Sequence, residues 1–371
     1  MPKTSRKASR STTKNRKTAK PRISDEFSST IQNVTDEQLP PEWVHDLNVL
    51  RRVIKRTREI NDPRIDVFSD KVTHGIQQFK IATISTNLDV KQLREVHERG
   101  YRVYLIEEKY RRKLSEEFLQ YLRQAGEGGA QLVCYNELAY PTPLDGKGDV
   151  AFKNQVKKLV TKYKLSLIAG SYHDATKFYN LSPVIATHYR DGQPKAIPHA
   201  KMTSAVKAYE LIRIPPNRHL RYYETEHGCF AVFICIDVYD PSMIFRLMMK
   251  NHLNSTEQKI DFVFVPSFTL KDAQELAEAC RDLSYASATL VVYVNCAADT
   301  PRHVVYLAGE EVHEGNAAVK CELTKLSENV QILTIAADEY HRLRSKVSDG
   351  YSPVFNYLIG VRDGIRVEVK L

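Results

Sequence analysis

Cys235 closes an unbroken apolar run, Phe230-Ala-Val-Phe-Ile-Cys235, and Ile236-Asp237-Val-Tyr-Asp-Pro241 comes directly after it. The run reads as a buried strand, and the residues beyond it as a turn into an amphipathic helix over 241–250. A thiol at such a turn stands at a sheet edge beside backbone N–H groups that can hold an oxyanion, as a cysteine nucleophile requires. The plainer alternative is a cysteine that only packs. A second apolar strand, Leu132-Val-Cys-Tyr135, runs into Asn136-Glu137. Desolvation at the end of a buried strand raises a carboxyl group's proton affinity, so Glu137 is a candidate general base. Alone, it also reads as an exposed loop acid. Lys201, in His199-Ala-Lys201-Met-Thr, follows a strand and turn. A partly desolvated lysine can stabilise an oxyanion or a thiolate, whereas a solvated one does neither.

Other chemistries find little support. The six cysteines form no CxxC pair, so a zinc ribbon or dithiol redox motif is not expected. Gly146-Lys147-Gly148 lacks the spacing of a phosphate-binding loop, and neither GxSxG nor HExxH occurs. The 12 histidines are scattered.

The elements needed to position these residues alternate along the chain. Strands are expected at 80–86, 131–135, 165–170, 181–189, 228–235, 261–266 and 289–295, with shorter ones near 303–308, 317–323 and 329–336. Helices are expected at 89–125, 152–163, 241–250, 270–288 and 337–345, the first with a possible strand at 103–106. Such alternation argues for α/β layers, sheets covered by helices. Helical spacing of Trp43, Leu47, Leu50, Val53 and Ile54 predicts a further helix over 43–59, and 61–75 reads as a loop.

Charge separates the chain into two parts. Residues 1–22 hold nine Lys or Arg and no acid, while the whole chain has 54 basic and 45 acidic side chains. The remaining 349 residues therefore carry 45 of each, and the net charge of +9 belongs to the tail. This excludes a body that coats nucleic acid by charge. The tail lacks the apolar residues that would offset its ordering entropy, so it is expected to be disordered. It is either a solubilising extension or an arm for nucleic acid or another polyanion. With 42% hydrophobic and 27% charged residues, the rest reads as globular. No apolar run reaches the ~18 residues a membrane span needs, and no signal-peptide core is found. A cytoplasmic protein with reduced thiols is expected.

Taken together, the three segments resemble the nitrilase superfamily of carbon–nitrogen hydrolases, whose Glu, Lys and Cys occur in this order. "CYNELAYP" is similar to the element ending in the family's glutamate, which places Glu137. "FYNLSPVIATHYRDGQPKAIPHAK" resembles the stretch of asparagine, turn and lysine, which places Lys201. "EHGCFAVFICIDVYDP" resembles the glycine-to-cysteine stretch, which places Cys235. "LSLIAGSY", "DFVFVPS" and "ACRDLSYASATLVVYVNCA" resemble the intervening and following strands. The likeness covers about residues 79–345.

The resemblance implies a four-layer α-β-β-α sandwich at 77–350. Outside it lie a basic tail and linker at 1–40, a helical extension at 41–76 and a C-terminal extension at 351–371. It implies amide hydrolysis through a cysteine thioester, with Glu137 as base and Lys201 and the backbone N–H of Ile236 as oxyanion donors. A second glutamate would position the site; Glu210 is the best match, with Glu224 and Glu226 weaker. Tyr140 and Phe268 are assigned to substrate binding. No metal or cofactor is implied. The implied partners are a small amide-type substrate and further copies of the chain, in a homodimer or higher homo-oligomer packed through helices that include the one after the nucleophile. Three features depart from the family pattern: Ile236 where family members usually carry Trp or Tyr, Pro241-Ser242 where they carry Pro-Glu, and a polar insertion at 250–260. Ile236 counts against nitrile turnover. The competing function is a catalytically silent binding or scaffold protein on the same fold, with the tail engaging a polyanion.

Overall fold

The computed structural model describes residues 64–68, 77–141, 150–188, 190–216, 220–252, 259–297, 299–314, 316, 319–348, 361–362 and 365–366. The expected tail, the helix over 43–59 and most of the C-terminal extension lie outside the described residues.

The strands in chain order are β1 (Arg64–Val67), β2 (Gln78–Ile84), β3 (Leu93–Glu98), β4 (Tyr101–Ile106), β5 (Leu132–Tyr135), β6 (Ser166–Ile168), β7 (Tyr172–Asp174), β8 (Tyr179–Thr187) and β9 (Pro194–Ala200). They continue as β10 (Arg221–Thr225), β11 (Gly228–Val232), β12 (Phe262–Pro266), β13 (Leu290–Val294), β14 (His303–Leu307), β15 (Glu310–Glu311), β16 (Cys321–Lys325), β17 (Val330–Ala336), β18 (Val361–Arg362) and β19 (Ile365–Arg366). The helices are α1 (Glu108–Glu127), α2 (Val150–Tyr163), α3 (Pro241–His252), α4 (Ala273–Ser287) and α5 (Ala337–Ser348).

One sheet runs β16-β17-β2-β5-β6-β8-β7, with β9 also paired to β8; the other runs β1-β10-β11-β12-β13-β14-β15. At the centre of each, three strands are parallel: β2, β5 and β6 in the first, β11, β12 and β13 in the second. Parallel neighbours need long crossovers, and α1 to α4 lie in these four. Burial shows the layering. On β2, Phe79 and Ile81 face the core between the sheets, while Ala82 and Ile84 face outward to Phe118 and Leu122 of α1 and Val156 of α2. On β5, Leu132 and Cys134 face in, and Val133 and Tyr135 face out. Leu276, Ala277, Cys280 and Leu283 of α4 cover the second sheet. The chain therefore folds as the four-layer α-β-β-α sandwich.

Two expectations are corrected, and one unassigned segment proves to be a strand. Residues 89–106 are not the start of a helix. After a short 3-10 turn they form the antiparallel hairpin β3–β4, and the helix begins at Glu108. Arg99 and Gly100 both have positive φ (54° and 81°) and make the two-residue loop that matches strand twist. The segment before Lys201 is a strand, β9, folded back on β8 by the turn at Asp191-Gly192. The loop expected over 61–75 contains β1, which pairs with β10.

Candidate active site

The second sheet delivers the thiol. All of β11 is buried, and a 3-10 turn, Cys235–Tyr239, begins three residues beyond it. Cys235 has φ 53°, the left-handed region, which costs a residue with a side chain about 1–3 kcal/mol. Its side chain is 5% exposed, and Ser267 Oγ donates to Sγ at 3.4 Å. Burial, aided by the charge of Glu137, pushes the thiol up to about 12; Lys201 and the Ser267 hydroxyl pull the other way. At neutral pH the group is a thiol, so attack needs a base. Ile236 is second in the 3-10 turn, where backbone N–H groups have no partner within the helix.

The first sheet delivers the charges. Glu137 follows β5, and its own N–H bonds to Ser267 O at 3.1 Å. Its Oε1 accepts from Lys201 Nζ (2.8 Å) and Asn180 Nδ2 (2.7 Å), and its Oε2 from Phe268 N–H (3.1 Å). Lys201 follows β9, is 1% exposed, and also donates to Glu210 Oε2 at 2.6 Å. Burial alone would lower the Lys201 pKa; Glu137 and Glu210 outweigh it and hold the ammonium well above its usual value. Glu210 Oε1 accepts from Asn180 Nδ2 (2.9 Å) and pairs with His173 Nε2 (2.8 Å), and its Oε2 also takes Ala205 N–H (3.2 Å). Burial would raise Glu210, but Lys201 and His173 hold it far below the usual carboxylate range. Buried ions are tolerated only when paired and hydrogen-bonded in this way.

The structure thus brings Glu137, Lys201 and Glu210 into one hydrogen-bonded cluster whose charges act on Cys235. Glu224, on β10, and Glu226, beyond it, are not among the hydrogen-bond partners of Lys201. Phe268 touches the cluster through its backbone, while its ring packs with Leu88, Ile106, Leu114 and Leu138. Tyr140 is buried against Phe118 and Phe152 and lines a small open cavity with Leu93, Tyr104, Ile106, Leu138 and His173. Sequence reasoning assigned no role to His173, Asn180, Ser267 or Asp237. Asn180 lies in one of the family-like segments. So do Ser267 and Asp237, whereas His173 carries no local signal, because its partners are distant in sequence. Among the described residues no group of three or more His, Cys, Asp or Glu is placed to hold a metal ion. Among them, too, no helix is long and apolar enough to cross a membrane.

Similar solved structures fix the class of fold. A nitrilase-superfamily protein from Saccharomyces cerevisiae, Nit3, superposes with a TM-score of 0.50 at 15% identity, over 75% of this chain and 96% of its own. A CN-hydrolase superfamily protein from Xanthomonas campestris, XC1258, gives 0.52 at 14%, over 75% and 98%. An amidase from Nesterenkonia sp. gives 0.50 at 13%, over 75% and 97%. No family model matches the sequence. No curated protein matches it either. The chain has the nitrilase-superfamily fold.

Proposed function

We propose that this chain is a cysteine-dependent carbon–nitrogen hydrolase that cleaves an amide-type bond of a small substrate. One observation carries the reading. A thiol in a left-handed turn sits beside a buried Glu137–Lys201–Glu210 cluster, with all four residues beyond strand ends of two facing sheets. The Nesterenkonia neighbour, an amidase, is consistent with it.

Each step follows from the position of a group. Glu137 takes the thiol proton as Sγ attacks the amide carbon. Lys201 and the Ile236 N–H hold the oxygen of the tetrahedral intermediate, each donor contributing on the order of 10²–10³ in rate. The C–N bond breaks, and the amine leaves with the proton that Glu137 returns. A water molecule gives a proton to Glu137 and attacks the thioester carbon; the acid departs and the thiol is restored. Glu210 fixes Lys201, and Tyr140 and Phe268 flank the substrate. We place the enzyme in the cytoplasm as a homodimer packed through α3, with the basic tail as a polyanion arm.

The test is ammonia release from a panel of neutral primary amides, with Cys235→Ala as control. Turnover that Cys235→Ala abolishes without unfolding supports the hydrolase. The thiol pushed up to about 12 also fits a packed cysteine in a silent binding protein. Ligand binding that Cys235→Ala retains, with no turnover by either protein, would favour that reading.

A further inference from the structure

The mechanism leaves one buried ionisable side chain of the cluster without a role. His173, on β7, is 4% exposed, and its Nε2 lies 2.8 Å from Glu210 Oε1. Its Nδ1 lies 2.9 Å from both the backbone N and the carbonyl O of Tyr104, on β4. These two contacts suit opposite protonation states. A neutral ring with its proton on Nε2 accepts at Nδ1 from the Tyr104 N–H. A protonated ring donates from Nδ1 to the Tyr104 carbonyl. Nε2 donates to Glu210 in both. Either form is held without orphaning a buried ring nitrogen, which would cost about 1–3 kcal/mol.

Charge gives this choice a consequence. Glu137 and Glu210 face one ammonium, Lys201. With His173 neutral the cluster carries one uncompensated negative charge; with His173 charged it is balanced. A thiolate at Cys235 adds another negative charge, so its formation is favoured when His173 is charged. The groups around His173 can be named from each side. From β4 comes the Tyr104 ring, 6.2 Å away, with the Arg102–Glu95 ion pair on the same hairpin. Beyond β9 lie Glu210 and, through it, Lys201 and Glu137. Tyr140 and Tyr172 line the same cavity, and burial raises both above the ordinary phenol range. On β7 itself, Asp174 accepts from Thr176 and from the Lys177 N–H.

We propose that His173 is a positioning residue. Its charge, held in either state by the Tyr104 backbone, sets how strongly Glu210 engages Lys201 and thereby how readily Cys235 loses its proton. The effect on Cys235 rests on the hydrolase reading. The coupling to Lys201 does not.

The full-length protein and His173→Gln, which keeps a donor for Glu210 but cannot be charged, are titrated from pH 5.5 to 8.5. Two signals are followed: the NMR shift of the Lys201 ammonium and the iodoacetamide alkylation rate of Cys235. In the wild type the Lys201 signal moves with a step that His173→Gln lacks. The wild-type to variant rate ratio falls from as much as about tenfold, the effect of one pKa unit, at the acidic end to near one at the alkaline end. Burial pushes the Asp237 carboxyl group up to about 7, but it is present in both proteins, so a pH dependence that it alone causes appears in both rates and leaves their ratio unchanged. An identical Lys201 titration in the two proteins, or a ratio that does not change with pH, overturns the proposal. If His173→Gln does not fold, the wild type decides: the His173 ring nitrogens and the Lys201 ammonium must share one midpoint, and separate midpoints overturn it. A shared step with Cys235 no more reactive than the other cysteines upholds the coupling and removes the hydrolase reading instead.

Discussion

Asp237 ties together the two segments that supply the proposed oxyanion donor and nucleophile. Its carboxylate accepts from the N–H of Met202 (3.0 and 3.1 Å), next to Lys201, and from the N–H of Ile234 (3.2 Å), next to Cys235. Burial pushes this carboxyl group up to about 7, against the pull of Lys201 and of the two backbone N–H groups. The folded state therefore holds the proton more tightly than the unfolded chain, whose carboxyl titrates near 4. Between about pH 4 and pH 7 the folded state binds more protons, so this group's stabilisation is complete at the acidic end and is lost as pH rises through 7. Asp237→Asn cannot titrate. In urea denaturation the wild type should lose stability relative to Asp237→Asn, on the order of a few kcal/mol, as pH is raised from 4.5 to 7.5. A constant difference would show that Asp237 is already ionised at the acidic end. At this scale the sequence singled out as candidates the groups that abut apolar runs, Glu137 and Cys235, because a buried strand leaves only its ends for chemistry. His173 could not be read in the same way. Its partners Glu210 and Tyr104 are 37 and 69 residues away, and only folding brings them together.

The elements place the chemistry through their directions. β5, β11 and β12 each belong to a parallel set, and Glu137, Cys235 and Ser267 all lie just past their carboxyl ends. The crossover helices on either side of β5 hold it through packed aromatic rings. Phe118 of α1, fully buried, stacks on Tyr135 at 4.0 Å and meets Tyr140 and Phe152 edge-on at 5.8 and 5.4 Å. Phe118→Ala should cost about 3–5 kcal/mol in urea denaturation, because this cage can collapse only partly. A loss below about 1 kcal/mol would mean the layer repacks freely. Most strands and helices were legible from their apolar periods. The β3–β4 hairpin was not. Only Arg99-Gly100 and the alternation in Tyr101–Ile106 marked it off from the true helix behind it. Its edge is held by tertiary pairing, Arg102 N–H to Leu211 O and Leu211 N–H to Arg102 O at 2.8 and 2.9 Å, which no local pattern reports.

At the scale of the molecule, two facing sheets assemble one site from segments nearly 100 residues apart, and a body of zero net charge carries a basic tail. Deleting residues 1–22 takes the formal charge from +9 to 0. The truncated protein should keep its melting temperature and its Cys235 reactivity while losing salt-sensitive retention on a polyanion column. Equal retention by both proteins would place any polyanion site on the folded body. The proposed hydrolysis requires that Cys235 be activated by its neighbours. Its measure is the iodoacetamide alkylation rate of each cysteine, by mass spectrometry, in the native protein and in Glu137→Gln and Lys201→Ala. Cys235 alone should react fast, although burial would slow an isolated thiol, and each variant should slow it by about 10²-fold or more. A Cys235 as inert as buried Cys134 and Cys280, or one indifferent to both substitutions, would contradict it.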